Sequence, residues 1–265
     1  MSGGRLSVEQ LRFSWPCGRN VLESISFSIK EGERVALIGP NGAGKSTLLL
    51  HLNGLLPDGR PADGAIRVDD LPVAPPHLAE VRRRVGVVFQ DPDDQLFCET
   101  VGEDISYGPR QLGRGTGGTF GPEDVRTALE RVGLGNFADR PISELSRGEK
   151  RRVAIAGVLA CEPSVLVLDE PTGDLDPRGR RQLSAILREL RQTLLVVTHD
   201  LEWVRGLCRR AILIDGGRLI ADGPIDTLLA DEPMMLTHGL ETPASLNRQT
   251  ECRVGLCGER VECLR

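Results

Sequence analysis

The stretch Gly39 to Thr47, GPNGAGKST, constrains this chain more than any other. The apolar run Val35 to Ile38 precedes it and predicts a buried strand; Leu48 to Leu52 follows and predicts the start of a helix. Strand, glycine loop and helix form the context in which G-x-x-x-x-G-K-[ST] becomes a phosphate cradle. Gly39, Gly42 and Gly44 allow positive φ and turn backbone N–H groups inward, with Asn41 and Ala43 completing the loop. Those donors, and the positive end of the helix that follows, suit anionic phosphate oxygens. Lys45 can reach the β- and γ-phosphates as a point charge, Ser46 can offer its hydroxyl to Mg²⁺, and Thr47 stands ready for the α-phosphate.

Other apolar runs end in polar residues of the same chemical interest. Val85 to Phe89 leads to Gln90, Val165 to Leu168 leads to Asp169 and Glu170, and Leu194 to Val197 leads to His199. Four-residue apolar runs read as parallel strands buried on both faces, and ligands of such sheets bind beyond the strand C-termini. Asp169 and Ser46 are therefore candidate Mg²⁺ ligands, with the Gln90 amide able to see both metal and water. Glu170 is a candidate base or water-orienting group, a role worth about 10²–10⁴ in rate. His199 is a candidate hydrogen-bond donor to the terminal phosphate. Trp15, in a chain with only 3% aromatic residues, is compatible with stacking on a nucleotide base or with closing a sheet edge.

Between the glycine loop and Asp169 the pattern changes. Asp91 to Phe97 is polar and loop-like, Val101 to Tyr107 reads as helix, and Gly113 to Gly121 reads as a glycine-rich surface loop. Pro122 opens a helix with apolar Val125, Leu129 and Val132, and Ser143 to Glu149 leads another through Ala160. The arginine run Arg82 to Arg84 reads as a solvated helix face. Residues 91–160 are thus expected as a helical subdomain inserted into an α/β core, and strands follow at Ala211 to Ile214 and Arg218 to Ala221.

Composition narrows the class. A net charge of −5 argues against a general nucleic-acid surface. No apolar run approaches the roughly 18 residues needed to span a bilayer, and the opening residues carry no apolar signal segment. A cytoplasmic protein is expected, with Cys17, Cys98, Cys161 and Cys208 as reduced thiols.

Taken together, GPNGAGKST, Gln90, LSRGE at Leu145 to Glu149, VLVLDEPT at Val165 to Thr172, GDLDP at Gly173 to Pro177 and His199 resemble the ATP-binding-cassette (ABC) ATPases over roughly residues 5–230. The resemblance implies an α/β fold: a RecA-like P-loop NTPase core with an antiparallel β subdomain and an inserted helical subdomain. It implies ATP and Mg²⁺ as cofactors, and a head-to-tail dimer that sandwiches two nucleotides. It further implies that Ser146 and Gly148 meet the γ-phosphate of the partner's ATP, that Asp176 links the two sites, and that Trp15 stacks on adenine. LLLHLNGLLP, VFQDPDDQLF, TVGEDISYGP and RRVAIAGVLA more narrowly resemble the cobalt/nickel-type ATPases of energy-coupling-factor (ECF) transporters, and Leu228 to Leu246 resembles that subgroup's C-terminal extension. This implies import of metal ions or a vitamin through a membrane scaffold subunit and a substrate-binding membrane subunit. The chain would work at the cytoplasmic face of the membrane, as a homodimer or with a paralogous ATPase, with Asp91 to Phe97 facing the membrane subunit.

The chain departs from the family pattern at two places. Arg147 replaces the first glycine of the usual LSGGQ, which puts a long cation where the partner's ATP is expected. Asp174 replaces a small residue, and both changes bear on dimer closure. Expected domains are 1–230 for the ATPase, 231–246 for the extension and 247–265 for a disordered tail. Cys252, Cys257 and Cys263 in that tail lack the spacing of a zinc site. Rival readings are another importer class, a soluble non-transport ABC ATPase, and a module that binds ATP without turnover. The long coiled coils of repair and chromosome ATPases are excluded by the span of about a hundred residues between Lys45 and Ser146, which has no heptad run.

Overall fold

Uninterrupted apolar strands need cover on both faces, and this fold supplies it with helices on one side and a second sheet on the other. The structure is a computed structural model that describes residues 3–57, 65–113, 120–173 and 175–246. Its strands are β1 (Leu6–Ser14), β2 (Asn20–Ile29), β3 (Arg34–Ile38), β4 (Ile66–Val68), β5 (Leu71–Pro72), β6 (Val85–Val88), β7 (Val165–Asp169), β8 (Thr193–Val197), β9 (Arg210–Asp215) and β10 (Arg218–Pro224). Its helices are α1 (Lys45–Leu52), α2 (Leu78–Arg84), α3 (Val101–Gln111), α4 (Pro122–Arg131), α5 (Arg147–Ala160), α6 (Pro177–Glu189), α7 (Leu201–Arg205), α8 (Ile225–Leu229) and α9 (Glu232–Thr237).

The main sheet has the order β10-β9-β3-β8-β7-β6, parallel throughout except where β10 pairs with β9. A four-stranded antiparallel sheet, β2-β1-β4-β5, stands apart from it. The two-residue period of a strand divides the apolar runs between two cores. Val35, Leu37, Val165, Val167, Leu195 and Val197 pack with β1, β2 and α1. Ala36, Ile38, Leu166, Leu168, Leu194 and Val196 pack with α3, α4, α5 and α6. Both faces are therefore dry, which is why these strands do not alternate polar and apolar residues.

The expected helices form: α3 starts at Val101 and α4 at Pro122, as expected, and α5 starts within the Ser143 to Glu149 lead. Ser146 is the N-cap of α5, and the Glu149 carboxylate accepts the Ser146 amide at 2.8 Å, so the helix begins at Arg147. Ile142–Glu144 is a separate 3₁₀ turn. Thr100 and Glu103 form the same reciprocal box at the start of α3, and Pro122 occupies the first turn of α4. The polar stretch after Gln90 contains a 3₁₀ turn, Pro92–Asp94, capped by the Asp91 side chain. On α2, Arg84 pairs with Glu80 and Asp69 at 3.1 and 2.9 Å, and Arg82 donates to the Gly54 carbonyl at 3.0 Å.

Beyond residue 230 the chain returns to the core. Met235 and Leu240 are buried in the same cluster as α5 and α6, and His238 Nδ1 lies 2.8 Å from Asp215 Oδ2. Cys17, Cys98 and Cys208 are free thiols, and the Cys161 thiol donates to the Gly157 carbonyl at 3.5 Å. Residues 114–119 of the glycine-rich run, Asp174, and the tail bearing Cys252, Cys257 and Cys263 lie outside the described residues. Among the described residues no helix is long and apolar enough to cross a membrane.

One buried side chain makes the fold acid-sensitive. His51 on α1 is 1% exposed. Its Nδ1–H donates to the Thr47 carbonyl at 2.7 Å, while Nε2 is buried without a hydrogen-bond partner among the described residues. Burial holds its pKa below the ordinary 6.5, against the opposing pull of the Thr47 carbonyl. Because the folded value is the lower one, the unfolded chain takes up the proton first, and stability falls as pH drops below about 6.5. In urea denaturation at a series of pH values, His51→Leu should flatten the loss of stability between about pH 6.5 and 5. An unchanged slope in that variant would assign the acid sensitivity to other groups.

Candidate nucleotide site

Parallel pairing brings four strand ends to one edge. Leu37 stands opposite Val197, Leu168 opposite Val196 and Val88 opposite Leu168, so the residues that follow emerge side by side. Gln90, Asp169, Glu170 and His199 all line one cleft of about 620 Å³, together with Gly39, Asn41, Gly42, Gly44, Lys45, Ser46 and Thr47. Ala43 does not line it; its side chain is 2% exposed and packs into the core beneath the loop.

The glycines are required by position. Gly39 has φ +152°, and a Cβ there would meet the Ile214 carbonyl oxygen at 2.0 Å. Gly44 has φ +99°, and its Cβ would meet Val21 O and Leu22 Cδ2 at 2.9 Å. The loop is thus pressed between β9 and the start of β2, and no side chain fits at either point.

Charges in the cleft are held close and dry. The Lys45 ammonium is 9% exposed and donates to the Gly39 and Pro40 carbonyls at 2.8 and 2.9 Å. Burial lowers its pKa, opposed by the carboxylates of Glu170 and Asp169. Burial pushes the Asp169 carboxyl up, although Ser46 donates a hydrogen bond to it and Lys45 and Arg151 stand near. Glu170 follows with φ +44°, a left-handed conformation that is strained for a residue with a side chain. Its amide donates to the Val197 carbonyl at 2.9 Å, and its Oε2 lies 2.9 Å from His199 Nδ1. Glu170 and His199 therefore meet as a pair across neighbouring strands. Ser46, Asp169 and the Gln90 amide offer hard oxygen donors, and a buried carboxylate with a raised pKa is a fitting partner for a small divalent cation such as Mg²⁺.

Trp15 stands at the rim of this cleft, 38% exposed, edge-on to Phe13 with ring centroids 5.0 Å apart. It is held in a turn by bonds between Trp15 N and Arg19 O and between Gly18 N and Trp15 O. Trp15 thus both lines the cleft and packs on the end of β1.

Ser146 and Gly148 are not in the cleft. They line a separate cavity of about 480 Å³ with Asp176, Gly179 and Arg152. Ser146 Oγ donates to Glu149 Oε2 at 2.7 Å. Arg147 Nη2 lies 3.3 Å from Asp91 Oδ2 of its own chain, with 53% of its side chain exposed.

Sequence reading overlooked Arg151 and, lining the cleft, Arg19, Val21, Gly239 and Leu240. Arg151 is 2% exposed and donates to the Phe89 and Gln90 carbonyls at 3.0 and 2.6 Å. The available signal was an arginine in helical register with apolar Ala154 and Ile155. Gly239 and Leu240 line the cleft from the C-terminal extension. Nothing local marks them, because tertiary folding alone brings them there.

The raised Asp169 pKa gives a stability prediction. The folded carboxyl ionises less readily than the unfolded one, so stability is lost as pH rises past its ordinary value of 3.8. Asp169→Asn removes that cost while preserving an oxygen that can accept from Ser46. At pH 7, without nucleotide or metal, it is expected to melt a few degrees higher than the parent chain by calorimetry, while losing Mg²⁺-dependent ATP hydrolysis. A lower melting temperature would show that the ionised carboxylate stabilises the free protein.

A family model described as ABC transporter matches residues 22–173. An ABC transporter ATP-binding protein of Gloeobacter violaceus is 56% identical over 245 residues, covering 92% of this chain and 98% of the relative. The cobalt import ATP-binding protein CbiO of Rhodobacter capsulatus is 43% identical, covering 90% and 85%. The energy-coupling factor transporter ATP-binding protein EcfA of Methanothermobacter thermautotrophicus is 41% identical, covering 92% and 79%. Among solved structures, cbiO1 of Clostridium perfringens, described as part of the ABC transporter complex cbiONQ, superimposes with a TM-score of 0.74 at 36% identity, covering 92% of this chain and 98% of that one. The chain has the ABC ATPase fold, hydrolyses ATP and belongs to the ATP-binding subunits of the ABC transporter family.

Proposed function

We propose that this chain is the ATP-hydrolysing subunit of an ECF-type importer, coupling ATP binding and hydrolysis in a dimer to uptake of cobalt or nickel ions or a vitamin. A membrane scaffold subunit and a substrate-binding membrane subunit would complete the complex at the cytoplasmic face. The observation that carries the reading is the division of the site. The phosphate loop, Gln90, Asp169, Glu170 and His199 line one cleft, whereas Ser146 and Gly148 line another. A single chain holds two complementary halves, so a complete site needs a second ATPase. The likeness to CbiO and EcfA supports the importer class.

In this reading Lys45 exchanges its two loop carbonyls for phosphate oxygens, and the inward amides of residues 39–45 hold the remaining charge. Ser46, Asp169 and Gln90 would hold Mg²⁺, which would supply neutralisation of phosphate charge. Trp15 stacks on adenine. Thr47 supports the α-phosphate. Glu170 orients a water and takes up its proton at Oε2, the oxygen now facing His199. With His199 Nδ1–H donating to that oxygen, a neutral ring has no proton on Nε2 to give to phosphate. His199 thus serves the γ-phosphate either as an imidazolium or after turning away from Glu170. Ser146 and Gly148 close on the partner's γ-phosphate.

Glu170→Gln keeps the size and loses the base, so it should bind ATP, abolish turnover and accumulate the closed dimer in size-exclusion chromatography. Tagged Glu170→Gln, recovered from ATP-treated native membranes in detergent, should bring down polytopic membrane subunits identifiable by mass spectrometry. Recovery of soluble partners alone, from membranes that still yield other transporters, would move the chain to a non-transport ABC ATPase. Normal turnover in the variant would overturn the role given to Glu170.

A further inference from the structure

Three cations in the first turns of α5 reach one short segment. Arg151 donates to the carbonyls of Phe89 and Gln90, Lys150 Nζ lies 2.6 Å from Asp93 Oδ1, and Arg147 Nη2 lies 3.3 Å from Asp91 Oδ2. The Arg151 bonds go from a buried guanidinium to backbone and anchor the segment as structure. The Arg147 contact is different in kind. Both of its side chains are half exposed, at 53% and 42%, so it adds little to the stability of the fold.

Its geometry is nonetheless specific. Asp91 Oδ1 accepts the Asp93 amide at 3.0 Å and caps the 3₁₀ turn, while Oδ2 faces Arg147. The carboxylate is held from two sides, and it is one peptide bond from Gln90. Arg147 itself lies between Ser146 and Gly148, which line the other cavity. The pair therefore ties the turn that faces the second molecule to the loop that carries Gln90 into the chain's own cleft.

We propose that Arg147 is a positioning residue that acts in its own chain. Through Asp91 it sets Gln90 at the metal and water side of the cleft, so that the signature turn and the Gln90 loop move together when two ATPase subunits close. The inference rests on the reading of Gln90 as part of the hydrolytic site. It assigns to Arg147 a task other than contact with the partner's phosphate.

The test is a double-mutant cycle on the full-length chain, read as kcat and KM for MgATP. Asp91→Asn keeps a capping oxygen and removes the charge. Arg147→Ala and Asp91→Asn are each expected to lower kcat about two- to fivefold, the range open to an exposed pair, with KM held within about twofold. The double variant should be no slower than the slower single, because both changes break one contact. Arg147→Lys should recover most of kcat. Multiplicative losses in the double variant, an unchanged kcat in Arg147→Ala, or a raised KM with Arg147→Ala in both backgrounds would each overturn the proposal, the last by placing the cation on the partner's nucleotide. Glu170→Gln run alongside separates the two levels: turnover there refutes the hydrolytic site, whereas multiplicative losses beside an inactive Glu170→Gln refute only the Arg147 assignment.

Discussion

The parallel ladder through β3, β8, β7 and β6 is the constraint on which the site depends. Gly39, Gln90, Asp169, Glu170 and His199 come from stretches spread over 160 residues of sequence, and no helix or loop of their own could assemble them. The ladder does so because consecutive pairings, Leu37 with Val197, Val196 with Leu168, and Leu168 with Val88, put all four C-terminal ends at one level. Burial on both faces protects that level. A slip of one residue would move each Val and Leu from one core to the other, and the two cores differ in what fills them: helices α3 to α6 in one, the antiparallel sheet and α1 in the other.

That rigidity lets the cleft carry features that a freer backbone would relax. Glu170 keeps a left-handed φ because its amide is pinned to Val197 on the next strand. Gly39 passes so close to Ile214 that β9 leaves no room for a side chain. Asp169 and Lys45 are both partly stripped of water, and their pKa values move toward each other as burial disfavours each charge. Phosphate and a divalent cation would relieve both shifts at once, since each supplies the counter-charge that one of them lacks. In the proposed reading, bound phosphate and cation would offset the cost that burial places on these two charges.

Most of this could be read from the sequence where the signal was local. The loop Gly39 to Thr47 declared its strand and helix, and four-residue apolar runs declared which strands were covered twice. Convergence of Gln90, Asp169, Glu170 and His199 followed from the rule for strand ends. The lead from Ser143 to Glu149 contained the start of α5, and the Ser146–Glu149 capping box places that start at Arg147. Arg147 was read by position in a motif, as a cation near a second molecule. Its contact with Asp91, 56 residues earlier, is a tertiary fact. Gly239 and Leu240 were beyond reach for the same reason: they join the cleft through burial of Met235 and Leu240 in a core that the extension enters from outside the motif set.

Both halves of the proposed site are satisfied by their own chain when nothing is bound. Lys45 rests on Gly39 and Pro40 carbonyls, and Ser146 donates to Glu149, whose carboxyl is held below its ordinary pKa chiefly by the Ser146 hydroxyl. Leaving a buried donor without a partner costs about 1–3 kcal/mol; Lys45, 9% exposed, avoids that cost through its two carbonyls, whereas the Ser146–Glu149 contact is open to solvent. These internal bonds set a condition on the ligand. In the proposed dimer a phosphate would replace two carbonyls at Lys45 in one chain and a carboxylate at Ser146 in the other. Both exchanges break charge-assisted bonds, an ammonium on neutral carbonyls at Lys45 and a hydroxyl on a carboxylate at Ser146, but only the Lys45 bonds are shielded from water.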